Sequence, residues 1–303
     1  VKLVTSHFNP VQNKNGGRIP RKSVEPIPLK YATDDFIKPN KKKLNNTHPK
    51  QFVYFATSHI YYNNSVHNHL KWLTYTWKKQ ESGETNVRRW SKDGVYVDFN
   101  PYDESYMEEY YGRVWFWGNS QPIMWHGDLT EKLSSKFLNA DVPLDVAIFQ
   151  CNYLYNHRSM LNINEHKHYY MKAFEQCREN NVEPVVFMHG ERVIDGKFAQ
   201  KDYNYLRNLW TDIANSGDAL VIPYGLCIRN WYKKYPNISI NNPWCNNHPN
   251  RLGTLLMTYT MFYTFYGIDP VGIDYTYFWD DIDSDTLLKV QTLAKDSVDE
   301  FFA

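Results

Sequence analysis

A chain of 303 residues can bury a full hydrophobic core, as one large α/β domain or two smaller ones. Its 34 basic and 33 acidic residues leave a formal net charge of +1, which argues against general nucleic-acid binding and against a partner read through an acidic surface. No apolar run approaches the length needed to span a bilayer. Aromatics make up 17% of the residues, including 24 Tyr and 10 Trp, a composition that suits carbohydrate stacking and protein interfaces as well as core filling.

Residues 1 to about 50 are rich in Lys, Asn and Pro and lack apolar periodicity. RIPRKSVEPIPLKY and KPNKKKLNNTHPK read as an extended basic arm ahead of a domain spanning 51–303. The apolar residues of VEPIPLKY gain by covering a surface, so an arm packed on its own domain or on a neighbour is expected over a solvated tail. The chain opens on Val and shows no signal peptide, which is expected of a processed or trimmed product.

From residue 51 short apolar runs alternate with amphipathic segments. QFVYFA (51–56) is a predicted strand, and NSVHNHLKWLTYTWKKQ (64–80) a helix with Val66, Leu70, Leu73 and Trp77 on one face. RVWFWG (113–118) and DVAIFQ (145–150) are further strands, the latter apolar on both faces as in a parallel sheet. EHKHYYMKAFEQCRENN (165–181) is a helix, EPVVFMH (183–189) a strand, and DYNYLRNLWTDIANSG (202–217) a helix with Gly217 as its C-cap. ALVIPYG (219–225) is the fifth strand, and two helices, 251–267 and 284–302, follow. This alternation predicts a three-layer α/β/α fold around a doubly wound, mainly parallel, flavodoxin-like sheet. Ligands of such sheets bind beyond the carboxyl ends of the strands, which puts Ser58, Gly118, Asn152, His189 and the loop after Gly225 along one rim.

Two stretches carry chemistry. In FATSHIYYNNSV (55–66) a strand ends at Ser58 with no Gly or Pro to relieve the turn, as a displayed nucleophile would, and as ordinary strand-to-helix turns also do. In NNPWCNNHPNRLGTLL (241–256) His248 precedes Pro249, which bars helix there and projects the imidazole from a loop before a long helix.

Together these stretches resemble the first and last blocks of the SGNH (GDSL-type) hydrolases, where a Gly-Asp/Asn-Ser turn carries the nucleophile and a His-Pro motif supplies the base. VWFWGNSQPIMWHG offers Gly118 at the position of the family's oxyanion glycine, and FQCNYL offers Asn152 at its asparagine. The resemblance covers roughly residues 51 to 300, with four blocks in order, and the C-terminal part looks like a bacterial branch of the superfamily. It implies catalysis by Ser58 and His248 and an oxyanion hole of the Ser58 and Gly118 N–H groups with the Asn152 amide. Trp117, Trp125, His126, Tyr153, Tyr155, Arg192 and Trp244 lie near the expected rim. An aromatic cleft with one arginine suits a sugar ester, and core packing is expected for at least half of these residues. The implied activity is a serine esterase removing acetyl or another small acyl group from a carbohydrate or related polar substrate, without cofactor or metal. The partner is the ester substrate, with neither nucleic acid nor membrane span; the oligomeric state is open, an arm-mediated contact included.

The departures from the pattern are specific. The nucleophile block reads Ala56-Thr57-Ser58, the third block Gln150-Cys151-Asn152-Tyr153, and the acid position three residues before the base is Cys245. Asn246 and Asn247 carry no charge. A carboxylate from elsewhere, a Ser-His dyad, or a catalytically weakened fold used for glycan binding or assembly all remain open, and loss of an orienting acid costs other triads orders of magnitude. Cys151, Cys177, Cys227 and Cys245 form no C-x-x-C pair, so zinc is not expected. In an exported protein, a periplasmic or extracellular setting being the favoured one, a Cys227–Cys245 disulfide would pin the His248 loop; two separate buried thiols are the alternative. His166 and His168, and likewise His67 and His69, are expected to be solvated, and the Asn-x-Ser/Thr triplets at Asn45, Asn63 and Asn237 to be chance.

Overall fold

A computed structural model of the chain describes residues 29–49, 51–56, 58–61, 63, 66–81, 112–116, 144–150, 163–189, 200–243, 245–276, 279 and 281–303. Five short strands form the central sheet: β1 (Phe52–Ala56), β2 (Gly112–Phe116), β3 (Val146–Gln150), β4 (Glu183–Phe187) and β5 (Leu220–Ile222). All four pairings are parallel and the spatial order is β2-β1-β3-β4-β5, the flavodoxin-like doubly wound arrangement. Every residue of β1 and β3 is buried, because helices cover both faces of a parallel sheet and leave no polar side.

Alternate residues divide the core in two. Phe52, Tyr54, Val146, Ile148, Val185 and Phe187 face a layer formed by α2 (Val66–Glu81), α5 (Tyr224–Lys234), α6 (Arg251–Tyr266) and α7 (Ser284–Phe302). Val53, Phe55, Ala147, Phe149 and Val186 face the other layer, α3 (Ile163–Glu179) and α4 (Gln200–Ser216). On α2 the predicted stripe is present: Val66, Leu70 and Leu73 are buried and Trp77 packs against them. Helix α6 is apolar nearly all round and has thirteen buried residues, so it lies inside the fold rather than on it.

The arm, as far as it is described, lies on this unit. Tyr31 and Leu44 are buried, in the two different halves of the core. The Tyr31 hydroxyl donates to Asp212 on α4, which also receives Lys167 at 3.0 Å. Burial alone would raise the Asp212 carboxyl, but these donors overcome it and hold it below the ordinary carboxylate range.

Three local expectations are corrected. Gly217 does not cap α4 through a left-handed conformation; Asp218 takes it, with φ 48°, and Gly217 is required because a Cβ there would run into the Phe174 ring. The fifth strand stops at Ile222. Pro223 ends it, and Tyr224 and Gly225 already belong to α5, so a helix rather than a loop leaves the rim here. His248 sits not in a loop but in β7 (Cys245–Pro249), which pairs antiparallel with β6 (Asn241–Asn242).

The disulfide expectation is also overturned. Cys227 is a free, fully buried thiol on α5, with its Sγ 3.2 Å from Thr260 Oγ1 on α6. It faces the helix layer, where it behaves as a small apolar side chain. Cys177 is likewise free and buried, whereas Cys151 lies outside the described residues.

Candidate active site

The connections from β1 to β2 and from β3 onward run to opposite sides, so the topological switch point falls between the adjacent strands β1 and β3. Ser58 stands at its carboxyl edge, opening the short helix α1 (Ser58–Tyr61) just beyond β1. His248 reaches the same edge from the far end of the sequence, because α1 and β7 are in contact. The ring of His59 stacks on that of His248, with centroids 4.4 Å apart and planes within 9°. His189, two residues beyond β4, lies edge-on to His59, with centroids 4.5 Å apart. Three imidazoles from α1, β4 and β7 therefore line one rim.

The backbone beneath His248 is irregular. Asn241 faces Pro249 and Asn242 faces Cys245, so residues 246–248 are extra on one side of the ladder and form a bulge. Bulges re-aim side chains, and this one presents His248 at the end of the ribbon. The ribbon is tied down at its root. The Asn250 side chain caps α6 by accepting from Gly253 N at 2.9 Å and donates to the Ser239 carbonyl at 2.7 Å. Gly253 has no space for a side chain, because a Cβ would collide with the Ile240 carbonyl oxygen and lie 3.0 Å from Pro249 Cβ.

A second tie comes from α2. Asn63 takes the left-handed conformation, φ 52°, and its amide donates to the Pro249 carbonyl and to Thr254 Oγ1, both at 2.9 Å. His69 holds Asn63 in turn: its Nε2 lies 2.6 Å from the Asn63 carbonyl and its Nδ1 3.0 Å from the Tyr275 hydroxyl. A carbonyl only accepts, so Nε2 carries the proton and Nδ1 receives the tyrosine hydrogen. Burial pushes His69 down to about 4, with the bond to Asn63 opposing only in part, and the ring is neutral at pH 7. The expectation of a solvated His69 is therefore wrong. It is fully buried on the α2 face that packs against Tyr275 and Trp279. Burial also lowers its neighbour His67, to about 3, while His168 is exposed as expected.

Desolvation lowers the pKa of His248 below its ordinary 6.5. A neutral imidazole at neutral pH is the form that accepts a proton from a hydroxyl. An open groove of about 510 Å³ lies at the root of the ribbon; Asn63, Asn242, Asn250, Arg251 and Asp281 border it together with apolar Pro243, Leu252 and Ile282, and His248 does not line it. Amides and one Arg–Asp pair, 3.2 Å apart, give it a hydrogen-bonding wall without a dominant charge.

Of the residues expected at the site, the structure brings the Ser58 end of α1 and His248 together. Gly118, Asn152, Trp117, Trp125, His126, Tyr153, Tyr155, Arg192 and Trp244 lie outside the described residues, as does the His166 side chain. Among the described residues no group of three or more His, Cys, Asp or Glu side chains is arranged to hold a metal ion, and no helix is long and apolar enough to cross a membrane. Sequence reasoning missed His59, Asn63 and His69 as site residues. His69 had a signal, since it falls three positions after Val66 on the apolar stripe of α2.

The fold and this rim define a doubly wound α/β unit with a serine and a histidine at its switch point. No protein-family model matches the chain and no curated protein matches it in sequence. Among solved structures it is similar to a DUF4886 family protein from Bacteroides uniformis, at 12% identity over 84% of this chain and 96% of that one, with a TM-score of 0.49. It is similar also to the acetylxylan esterase Axe2 of Geobacillus stearothermophilus, at 10% identity over 76% and 98% of the two chains and a TM-score of 0.46. A candidate SGNH hydrolase from Slackia heliotrinireducens is similar at 13% identity over 72% and 99%, again with a TM-score of 0.46.

Proposed function

We propose that the chain is a serine esterase that removes acetyl or another small acyl group from a carbohydrate or related polar substrate. The observation that carries this reading is the meeting, at the carboxyl edge of β1, of the helix opened by Ser58 and the bulge bearing His248. In the proposed reaction the neutral His248 takes the Ser58 hydroxyl proton as the oxygen attacks the ester carbonyl. The Ser58 and Gly118 N–H groups and the Asn152 amide hold the resulting oxyanion. Collapse of the tetrahedral species passes the proton from His248 to the departing sugar hydroxyl and leaves an acyl-enzyme. Water, deprotonated by the same ring, then releases the acid and restores Ser58.

The test is turnover of a small activated acetate ester together with labelling by a serine-reactive fluorophosphonate. The expected result is hydrolysis and a single adduct on Ser58, both abolished by Ser58→Ala, with hydrolysis lowered at least a hundredfold by His248→Ala. Full activity in Ser58→Ala would sink the reading. Cys245 at the acid position favours a second one, a weakened hydrolase fold that binds glycans. Glycan binding without turnover, unchanged by Ser58→Ala, would select it.

A further inference from the structure

We infer that His59 is a positioning residue for His248, its stacked ring supplying the orientation and cation stabilisation that a carboxylate supplies in a Ser-His-acid triad. The inference rests on the esterase reading above. His59 follows the nucleophile directly in sequence, so the same turn that places Ser58 places this ring against the base. The two imidazoles are nearly coplanar in orientation, 9° apart at 4.4 Å, and His59 is itself buried, with His189 closing on it edge-on. A buried ring in contact with two others has little room to swing away from the ring it supports. His248 is fixed from below by the bulge and from its face by His59, without any acid at position 245.

The stack also responds to charge. When the Ser58 proton moves to His248, a full positive charge develops on a ring whose face lies against a neutral aromatic one, an arrangement that attracts a cation. The proton leaves again with the departing alcohol, so His59 exchanges no proton in the cycle. The titratable groups on the elements packed around it include, among the described residues, His189 beyond β4, Tyr224 at the start of α5, Arg251 at the start of α6 with its partner Asp281, and the buried His67 and His69 on α2, which contacts α1.

The test compares His59→Leu and His59→Ala, which remove the ring, with His59→Phe, which keeps an aromatic face but cannot take a proton. Each variant is first checked for native circular dichroism and a cooperative melt. Loss of the stack is expected to lower kcat for the acetate ester roughly 3- to 30-fold with KM within about twofold, and His59→Phe to restore most of the loss. The ring-proton shifts of His248 in NMR spectra, moved upfield by a stacked neighbour, should fall downfield in both ringless variants and stay upfield in His59→Phe, a readout that needs no turnover. The inference is overturned if a folded ringless variant retains wild-type kcat, or if His59→Phe is no better than His59→Leu. Ser58→Ala and His248→Ala run in parallel separate the two levels. If they too keep activity, the esterase reading fails; if they abolish it while the ringless variants do not, only the role of His59 fails.

Discussion

Replacing Gly253 by alanine tests whether the ribbon bearing His248 is braced as described. The new methyl would sit within van der Waals contact of the Ile240 carbonyl oxygen, 3.0 Å from Pro249 Cβ and 3.2 Å from the Ile240 carbonyl carbon. Two of these neighbours are backbone, so no rotamer change relieves the clash; β6 or the first turn of α6 must move. The helix start is anchored by the Asn250 cap and by the Tyr224 hydroxyl, which donates to the Gly253 carbonyl at 3.1 Å, so the ribbon is the part that gives. Overpacking of this kind costs about 1–3 kcal/mol, and the better helix propensity of alanine returns about 1 kcal/mol. The net loss, up to about 2 kcal/mol, should lower Tm by up to about 8 °C for a chain of this size. Displacing the root of the bulge also misplaces His248, and a shift near 1 Å can lower turnover on the order of a hundredfold. Thermal melts read the first effect and ester hydrolysis the second. A variant with a raised Tm and wild-type turnover would show that Ile240 does not lie against Gly253, and the account of how the base is held would be wrong.

The buried His69 makes stability depend on pH. Its pKa falls from 6.5 unfolded to about 4 folded, so below pH 6.5 the unfolded chain binds the extra proton and stability drops as pH falls toward 4. The full loss is about 3 kcal/mol, and urea unfolding at pH 7 and pH 4.5 should show a shallower pH dependence in His69→Gln than in the wild type; equal slopes would refute the assignment. Burial pushes the Cys227 thiol up to about 12 and the Cys177 thiol higher still. In the native protein at pH 8 neither should react with iodoacetamide over hours, and both should become alkylated on unfolding without reductant; a Cys227 that needs reduction first would contradict its free state.

Much of the layer structure was legible because burial on both faces leaves a simple mark. QFVYFA and DVAIFQ are apolar at successive positions, and only strands covered on both sides tolerate that. The parallel, doubly wound character of the sheet followed from their alternation with helices. Elements whose sequence signal is weaker escaped. Helix α5 reads as YGLCIRNWYKK, in which aromatic residues and a leading glycine obscure the spacing of its buried Tyr224, Ile228, Trp231 and Tyr232. The β6–β7 ribbon is two residues long on one side and rich in asparagine, a composition that marks turns far more often than strands. Ser58 and His248 could be paired because each borders a recognisable turn. The stack of His59 on His248 could not, since ring contact between distant segments is settled by the course of the backbone and leaves no local pattern. His69 was readable from its place on the stripe and was discounted on residue type alone, although a buried histidine needs only two hydrogen-bond partners to be satisfied there.

The arm over residues 29–49 is gripped by its main chain. Asn208 accepts from the Ile37 amide and donates to the carbonyls of Tyr31 and Thr33, Asn215 accepts from the Asn40 amide and donates to the Lys38 carbonyl, and Glu183 receives the amides of Asn45 and Asn46. These are the contacts with which a peptide receptor reads a backbone while remaining blind to most side chains. Part of the information for docking this segment is therefore written in α4 and at the start of β4, beside the buried Tyr31 and Leu44 of the segment itself. Replacing Asn208, Asn215 or Glu183 should therefore loosen the segment along several residues at once, whereas a change at an exposed arm position should leave it docked.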